Sequence, residues 1–256
     1  MKIKILGAHN CETREYSHTC FVVDDILAVD AGSLTSNLSM VEQNRLQALI
    51  LSHRHYDHIR DVTALSTNFY HSGTSIDLYT SSDVVDTLER HFFTSGIYRD
   101  LTGEPLGNPT LRMHIVEPFT TYTIAGYEIT PVPVNHFGIT NGFRIVSSEG
   151  KQIFYTSDTG PGLDECWRNV SPALLIIEVT ENNISGEGSE KPGHLTPNLL
   201  KQELITFKEI NGYIPDVVTV HMSPQMEEEI RTELSVVADD LNCRITPGYE
   251  GMEINV

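Results

Sequence analysis

Residues 51–58, "LSHRHYDH", decide how the chain is read. They set His53, His55, Asp57 and His58 within six positions, directly after the apolar run "LQALIL". A buried imidazole or carboxylate without a partner costs several kcal/mol. The cluster is therefore solvated, mutually paired or bound to something positive. The same kind of exit recurs along the chain. "ILAV" runs into Asp30, "PVPVN" into His136, "IFYTS" into Asp158 and "VVTV" into His221. Including His53 after "LILS", five buried-looking strands deliver a His or Asp just past their ends. In α/β architectures, strand ends and the loops that follow them are where sites are assembled.

Outward from these exits, short apolar strands recur and helical patterns appear at 83–93, 197–210 and 224–241. Strands crowd the N-terminal half and helices enter later. The stretch 182–193, "NNISGEGSEKPG", reads as a flexible loop. With no repeat and no linker-like segment, the expectation is one mixed α/β domain over residues 1–256. A hydrophobic content of 39% with 20% charged residues suits a globular chain with a real core. No apolar run reaches membrane-span length. "MKIKILG" alternates like a strand and lacks the pattern of a signal peptide. Cys11, Cys20, Cys166 and Cys243 are scattered and read as reduced thiols. These features favour the cytoplasm, and the expectation is no membrane partner. The charge balance, 35 acidic against 17 basic residues for a formal −18, disfavours a long polyanionic substrate such as nucleic acid.

His-x-His-x-Asp-His suits two metals better than one. His53 and His55 alternate along an extended segment and can point to one side, leaving Asp57 and His58 to address a second ion. Imidazole and carboxylate suit zinc, manganese or iron. Two such ions about 3.5–4 Å apart need a shared ligand and further nitrogens. Asp158, His136 and His221 are the available candidates. A mononuclear structural zinc would leave Asp57 and others without a role.

These motifs, in this order, resemble the metallo-β-lactamase superfamily: "VDAG", "HRHYDH", "VNHFG", "YTSDTG" and "TVHMSP". The resemblance covers nearly the whole chain and implies a four-layer αββα sandwich with two divalent transition-metal ions, zinc first. It implies that His53, His55 and His136 hold one metal, that Asp57, His58 and His221 hold the other, and that Asp158 bridges them. Asp30 would orient ligands without binding metal. An aspartate rather than a cysteine at position 158 disfavours β-lactam hydrolysis. "GHLTP" at 193–197, "YTSDTGPGLDECW" and "LERHFF…GIYRDLTG" resemble the class II cyclic-nucleotide phosphodiesterases. Tyr56 and Asp61 depart from that class, which usually carries Leu and a small residue there.

The activity so implied is hydrolysis of a small cyclic nucleotide by a hydroxide held between the metals. Asp57 and Asp158 serve the chemistry as well as the ions, and His194 is the general acid. Thr196 could orient the His194 loop. His18 is a candidate pocket residue, and Glu178 a candidate partner for His194 or a ligand. His9, His71, His91 and His114 read as surface or packing residues, and Phe92 and Phe93 as core. The competing readings are an RNA-processing endonuclease, a glyoxalase-type thioester hydrolase and a non-enzymatic metal-binding sensor or scaffold. A homodimer is common in the family.

Overall fold

The computed structural model describes residues 1–93, 98–185 and 193–256. Its strands form two seven-stranded sheets. The first runs in the order β14 (Glu253–Asn255), β1 (Lys2–Gly7), β2 (Cys20–Val23), β3 (Leu27–Val29), β4 (Ala48–Ile50), β5 (Ile76–Thr80) and β6 (Leu111–Ile115). The second runs β13 (Ile245–Pro247), β12 (Asp216–Val220), β11 (Leu174–Glu178), β10 (Gln152–Tyr155), β9 (Asn141–Val146), β8 (Tyr127–Pro133) and β7 (Tyr122–Ile124). Strands β3 to β6 are mutually parallel, as are β10 to β13, while the remaining pairs are antiparallel.

Both faces of the parallel strands are apolar, which requires cover on both sides. In β10, Ile153 and Tyr155 enter the core between the sheets, while Phe154 turns to the helices behind. In β4, Ala48 and Ile50 face between the sheets and Leu49 faces away. The first sheet is covered by α1 (Leu34–Asn37), α2 (Met40–Gln43), α3 (Tyr56–Ile59), α4 (Val62–Ser72) and α5 (Ser82–Leu88). Leu34, Ile59, Leu65, Phe69 and Leu88 supply that outer core. The second sheet is covered by α6 (Asp164–Asn169), α7 (Pro197–Asn211) and α8 (Glu227–Leu241), through Trp167, Leu200, Leu204, Phe207, Ile230 and Leu234. The result is the αββα sandwich that the motifs implied.

Some elements depart from the sequence reading. The helix expected over 83–93 is α5 followed by a π turn at Glu89–Phe93. The one expected from 224 opens as a 3₁₀ turn at Pro224–Met226 before α8. Helices α1 to α4 already lie between β3 and β5, so the N-terminal half is not strands alone. The buried face of α4 mixes Val62, Leu65 and Phe69 with Thr63 and Ser66, which dilutes its apolar period. Phe93 is core, with Phe92 packed beside it. The loop expected at 182–193 lies largely outside the described residues.

Register brings the polar exits together. Val29 pairs with Ile50, so Asp30 leaves beside the start of the His53 loop. Glu178 pairs with Val220, so Glu178 borders His221.

Candidate metal centre

Beyond β4 the chain carries His53 and His55 two positions apart. His55 has extended backbone angles and stands at the N-terminus of α3, whose first turn carries Asp57 and His58. The loops after β8, β10 and β12 bring His136, Asp158 and His221 to the same place. Among the described residues three groups have ligand atoms mutually within 4.8 Å: two larger nests, His53, His55, His136 and Asp158 and then Asp57, His58, His221 and Asp158, and beside them a smaller set of Glu178, His194 and His221. Asp158 belongs to both larger nests, one oxygen to each. Its Oδ2 lies 3.7 Å from His53 Nε2 and 3.9 Å from His136 Nε2. Its Oδ1 lies 3.2 Å from His58 Nε2 and 3.5 Å from His221 Nε2. Asp57 Oδ2 is 3.1 Å from His221 Nε2.

The donor set fits a pair of divalent ions. His53 Nε2, His58 Nε2 and Asp158 Oδ1 are buried without a hydrogen-bond partner, which a metal ligand explains and a packed core does not. Four imidazoles are held from behind through their other nitrogen. His136 Nδ1 donates to the Gly193 carbonyl at 2.8 Å, His58 Nδ1 to Asp30 Oδ2 at 2.8 Å and His221 Nδ1 to Thr180 Oγ1 at 2.8 Å. His53 Nδ1 lies 3.0 Å from Ser52 Oγ and 3.3 Å from Ser157 Oγ. Such contacts set the tautomer that leaves the inward nitrogen free to bind metal.

The electrostatics agree. Burial, reinforced by His58, holds His53 well below the usual imidazole range, and burial also lowers His55 and His136. These rings are neutral donors. His58 moves the other way: burial opposes its charge, but Asp158, Asp30 and Asp57 raise it well above normal. Asp158 and Asp57 stay ionised despite burial, held down chiefly by His221 and His58 for the first and by His58 for the second. Three carboxylates around one buried point call for positive charge, which divalent ions would supply.

Three non-glycine residues at the strand exits have left-handed backbone: Asp30 (φ 57°), Ser157 (φ 61°) and His221 (φ 64°). Such conformations are rare and cost energy that the surroundings must repay. Here they turn the chain so that Asp30, Asp158 and His221 reach the centre rather than continue along their strands.

His194 lies outside both metal nests and touches them. Its Nδ1 donates to Glu178 Oε1 at 2.7 Å, and its ring stacks on His221 with centroids 5.4 Å apart. Burial would lower its pKa, but the Glu178 hydrogen bond and charge push it up to about 9. Glu178 is fully buried, and also accepts from Thr159 N and Thr180 Oγ1. The structure thus sets Glu178 behind His194. Thr196 caps α7 and is buried. His18 is half-buried at the centre's edge, lowered by burial and facing the charge of Asp57. A side chain at Gly32 would come within 2.7 Å of His18 Cβ, so only glycine lets these segments close. His9 is buried and held by Glu250 at 2.7 Å, while His114 pairs with Asp77 at 2.7 Å. The sequence reading missed Ser52, Ser157, Tyr155 and Thr180, which hold His53, His221 or Asp30. A hydroxyl residue directly before His53 and before Asp158 was the available signal.

The family described as the beta-lactamase superfamily domain matches residues 25–232, most of the chain. The chain belongs to that superfamily. Among solved structures, this superfamily member matches unliganded yeast PDE1 with a TM-score of 0.83 at 18% identity, covering 100% of this chain and 99% of that one. It matches the metallo-beta-lactamase fold protein YhfI from Bacillus subtilis with a TM-score of 0.78 at 18% identity, covering 99% of each. These likenesses show the metallo-β-lactamase fold. A curated relative, the 3′,5′-cyclic-nucleotide phosphodiesterase of Aliivibrio fischeri, is 23% identical over 210 residues, 73% of this chain. The chain spans 61% of that relative's length. Among the described residues, no helix is long and apolar enough to cross a membrane.

Proposed function

We propose that this chain, acting as one unit, is a cytoplasmic phosphodiesterase that opens small cyclic nucleotides. His53, His55 and His136 would hold one divalent ion and Asp57, His58 and His221 the other, with Asp158 shared and zinc the first choice of metal over manganese or iron. One observation carries the reading. A histidine outside both nests is held by a buried glutamate, in ring contact with the proposed ligand His221. A thioester hydrolase has no need of that arrangement, whereas a phosphodiester with an alkoxide leaving group does. The similarity to the Aliivibrio fischeri enzyme supports the substrate class.

Two divalent ions bound there would lower the pKa of water toward neutrality and offset charge on the phosphoryl oxygens. The chain's own residues do the rest. Asp30, Thr180 and the Gly193 carbonyl fix the imidazoles that face the reaction. Glu178 fixes the His194 ring by its Nδ1–H, which directs Nε2–H outward. With its pKa raised, His194 carries that proton at neutral pH and gives it to the departing sugar oxygen. Glu178 stabilises the imidazolium beforehand and reprotonation from solvent resets it.

The variant His194→Ala tests this. It should retain two metal equivalents by elemental analysis, since the residue is not a proposed ligand. Hydrolysis of cyclic AMP should slow by roughly 10²–10⁴-fold. Hydrolysis of a p-nitrophenyl phosphodiester should suffer much less, because its phenolate leaves without a proton. Equal loss on both substrates at full metal content refutes the acid role.

A further inference from the structure

The rim of the centre carries large aromatic side chains in water. Tyr56, directly after His55, is 62% exposed, and Phe137, directly after His136, is 65% exposed. Neither supports the core, and Tyr56 stands where the class II resemblance expects a leucine. Single exposed apolar residues are ordinary, but a patch beside a polar cleft marks a binding surface.

Tyr56 opens α3 and Phe137 lies in the loop after β8, and the histidines that precede them bring the two segments together. His55 Nδ1 and His136 Nε2 lie 3.2 Å apart. Beside them, the Arg54 guanidinium lies against Gly138, where an added Cβ would be 3.6 Å from Nη2. The Phe137 ring also rests on the backbone just before His194: a Cβ at Gly193 would lie 2.9 Å from its Cε2. Phe137 therefore sits between the ligand His136, with ring centroids 5.5 Å apart, and the segment that carries His194. Ile139, 49% exposed, continues the same apolar loop.

The charges nearby do not favour a long phosphate backbone. Arg54 is paired with Asp83 at 3.0 Å, and Arg60 with Glu12 and Asp61. What the rim offers a phosphodiester is planar apolar surface. Aromatic side chains stack on any base, and one such contact is worth roughly 10-fold in affinity.

We propose that Tyr56 and Phe137 form the seat for the nucleobase, so that the substrates are base-bearing mononucleotides rather than simple phosphodiesters or polynucleotides. The proposal rests on the phosphodiesterase reading for the bond cleaved, and its test separates the two. The metal-loaded protein is titrated calorimetrically with AMP and with ribose 5-phosphate, which keeps the sugar and phosphate but lacks the base. The wild type should bind AMP roughly 10-fold or more tighter. Tyr56→Leu and Phe137→Leu should each reduce that ratio several-fold and together bring it close to one, while Tyr56→Phe and Phe137→Tyr should preserve it. A wild-type ratio near one overturns the base seat. So does a ratio unchanged in the double leucine variant, or a parallel loss for both ligands, which would mark a structural role. Cyclic AMP hydrolysis is measured on the same samples. A protein that keeps the ratio but hydrolyses no cyclic nucleotide sinks the phosphodiesterase reading and leaves the base seat standing.

Discussion

Asp30 shows how much a single residue can organise without touching a reacting atom. Fully buried, it accepts from Ser52 N at 2.8 Å, Ser52 Oγ at 2.9 Å, His58 Nδ1 at 2.8 Å and Tyr155 Oη at 2.8 Å. Its carboxylate thus joins the loop of the first nest, a histidine of the second and a strand of the opposite sheet. Asp30→Asn removes the charge behind His58 and keeps the shape. The expected cost is about 10–100-fold in metal affinity or activity, the usual range for a group that supports a ligand. Asp158→Asn should do more, because it weakens both nests at once. Chelator competition and activity on the two variants check the order. Equal losses of activity with full metal in both would refute the division of roles.

At the scale of elements, the critical unit is the start of α7. Thr196 accepts from Leu199 N at 3.3 Å, Pro197 occupies the first turn and Gly212 closes the helix in left-handed backbone. Losing a threonine cap typically costs about 1 kcal/mol. The cap lies two residues past His194, and Leu195 N donates to Glu178 Oε2 at 3.3 Å. Fraying of α7 should therefore reach the proposed acid. Thr196→Ala should lower the melting temperature by roughly 2–4 °C and reduce kcat several-fold at unchanged metal content. Thr196→Ser should restore both. Calorimetry with steady-state assays decides it, and a stability loss without a kcat loss would uncouple the helix from the acid.

The whole molecule carries a formal charge of −18. Much of its surface is therefore self-repelling, and that repulsion weakens as the Debye length shrinks from about 30 Å at 0.01 M salt to a few Å near 1 M. Exposed ion pairs such as Arg90–Asp86 and Arg244–Asp216 lose strength as well, but each is worth little. The balance favours salt. Raising sodium chloride from about 0.01 M to about 0.5 M should raise the melting temperature of the protein. A fall would mean that its ion pairs outweigh the net repulsion.

Sequence alone determined the parts whose chemistry is local. Apolar runs ending in His or Asp named the strand exits, and "LSHRHYDH" named the clustered imidazoles and carboxylate, because donor type and alternation are written into neighbouring positions. Hydroxyl-diluted α4 escaped the same logic, since Thr63 and Ser66 interrupt the apolar residues of its buried face. Everything that depended on crossovers was decided by the tertiary structure. Asp158 shares its two oxygens between nests only because the loops after β4, β8, β10 and β12 converge from opposite sheets. Glu178 was an ordinary strand-end acid or a site residue until β11 set it beside β12 and behind His194. Tyr155 reaches Asp30 across 125 positions of chain. Hydrogen bonds of that span depend on two sheets packing through a common core, and no stretch of sequence holds both partners.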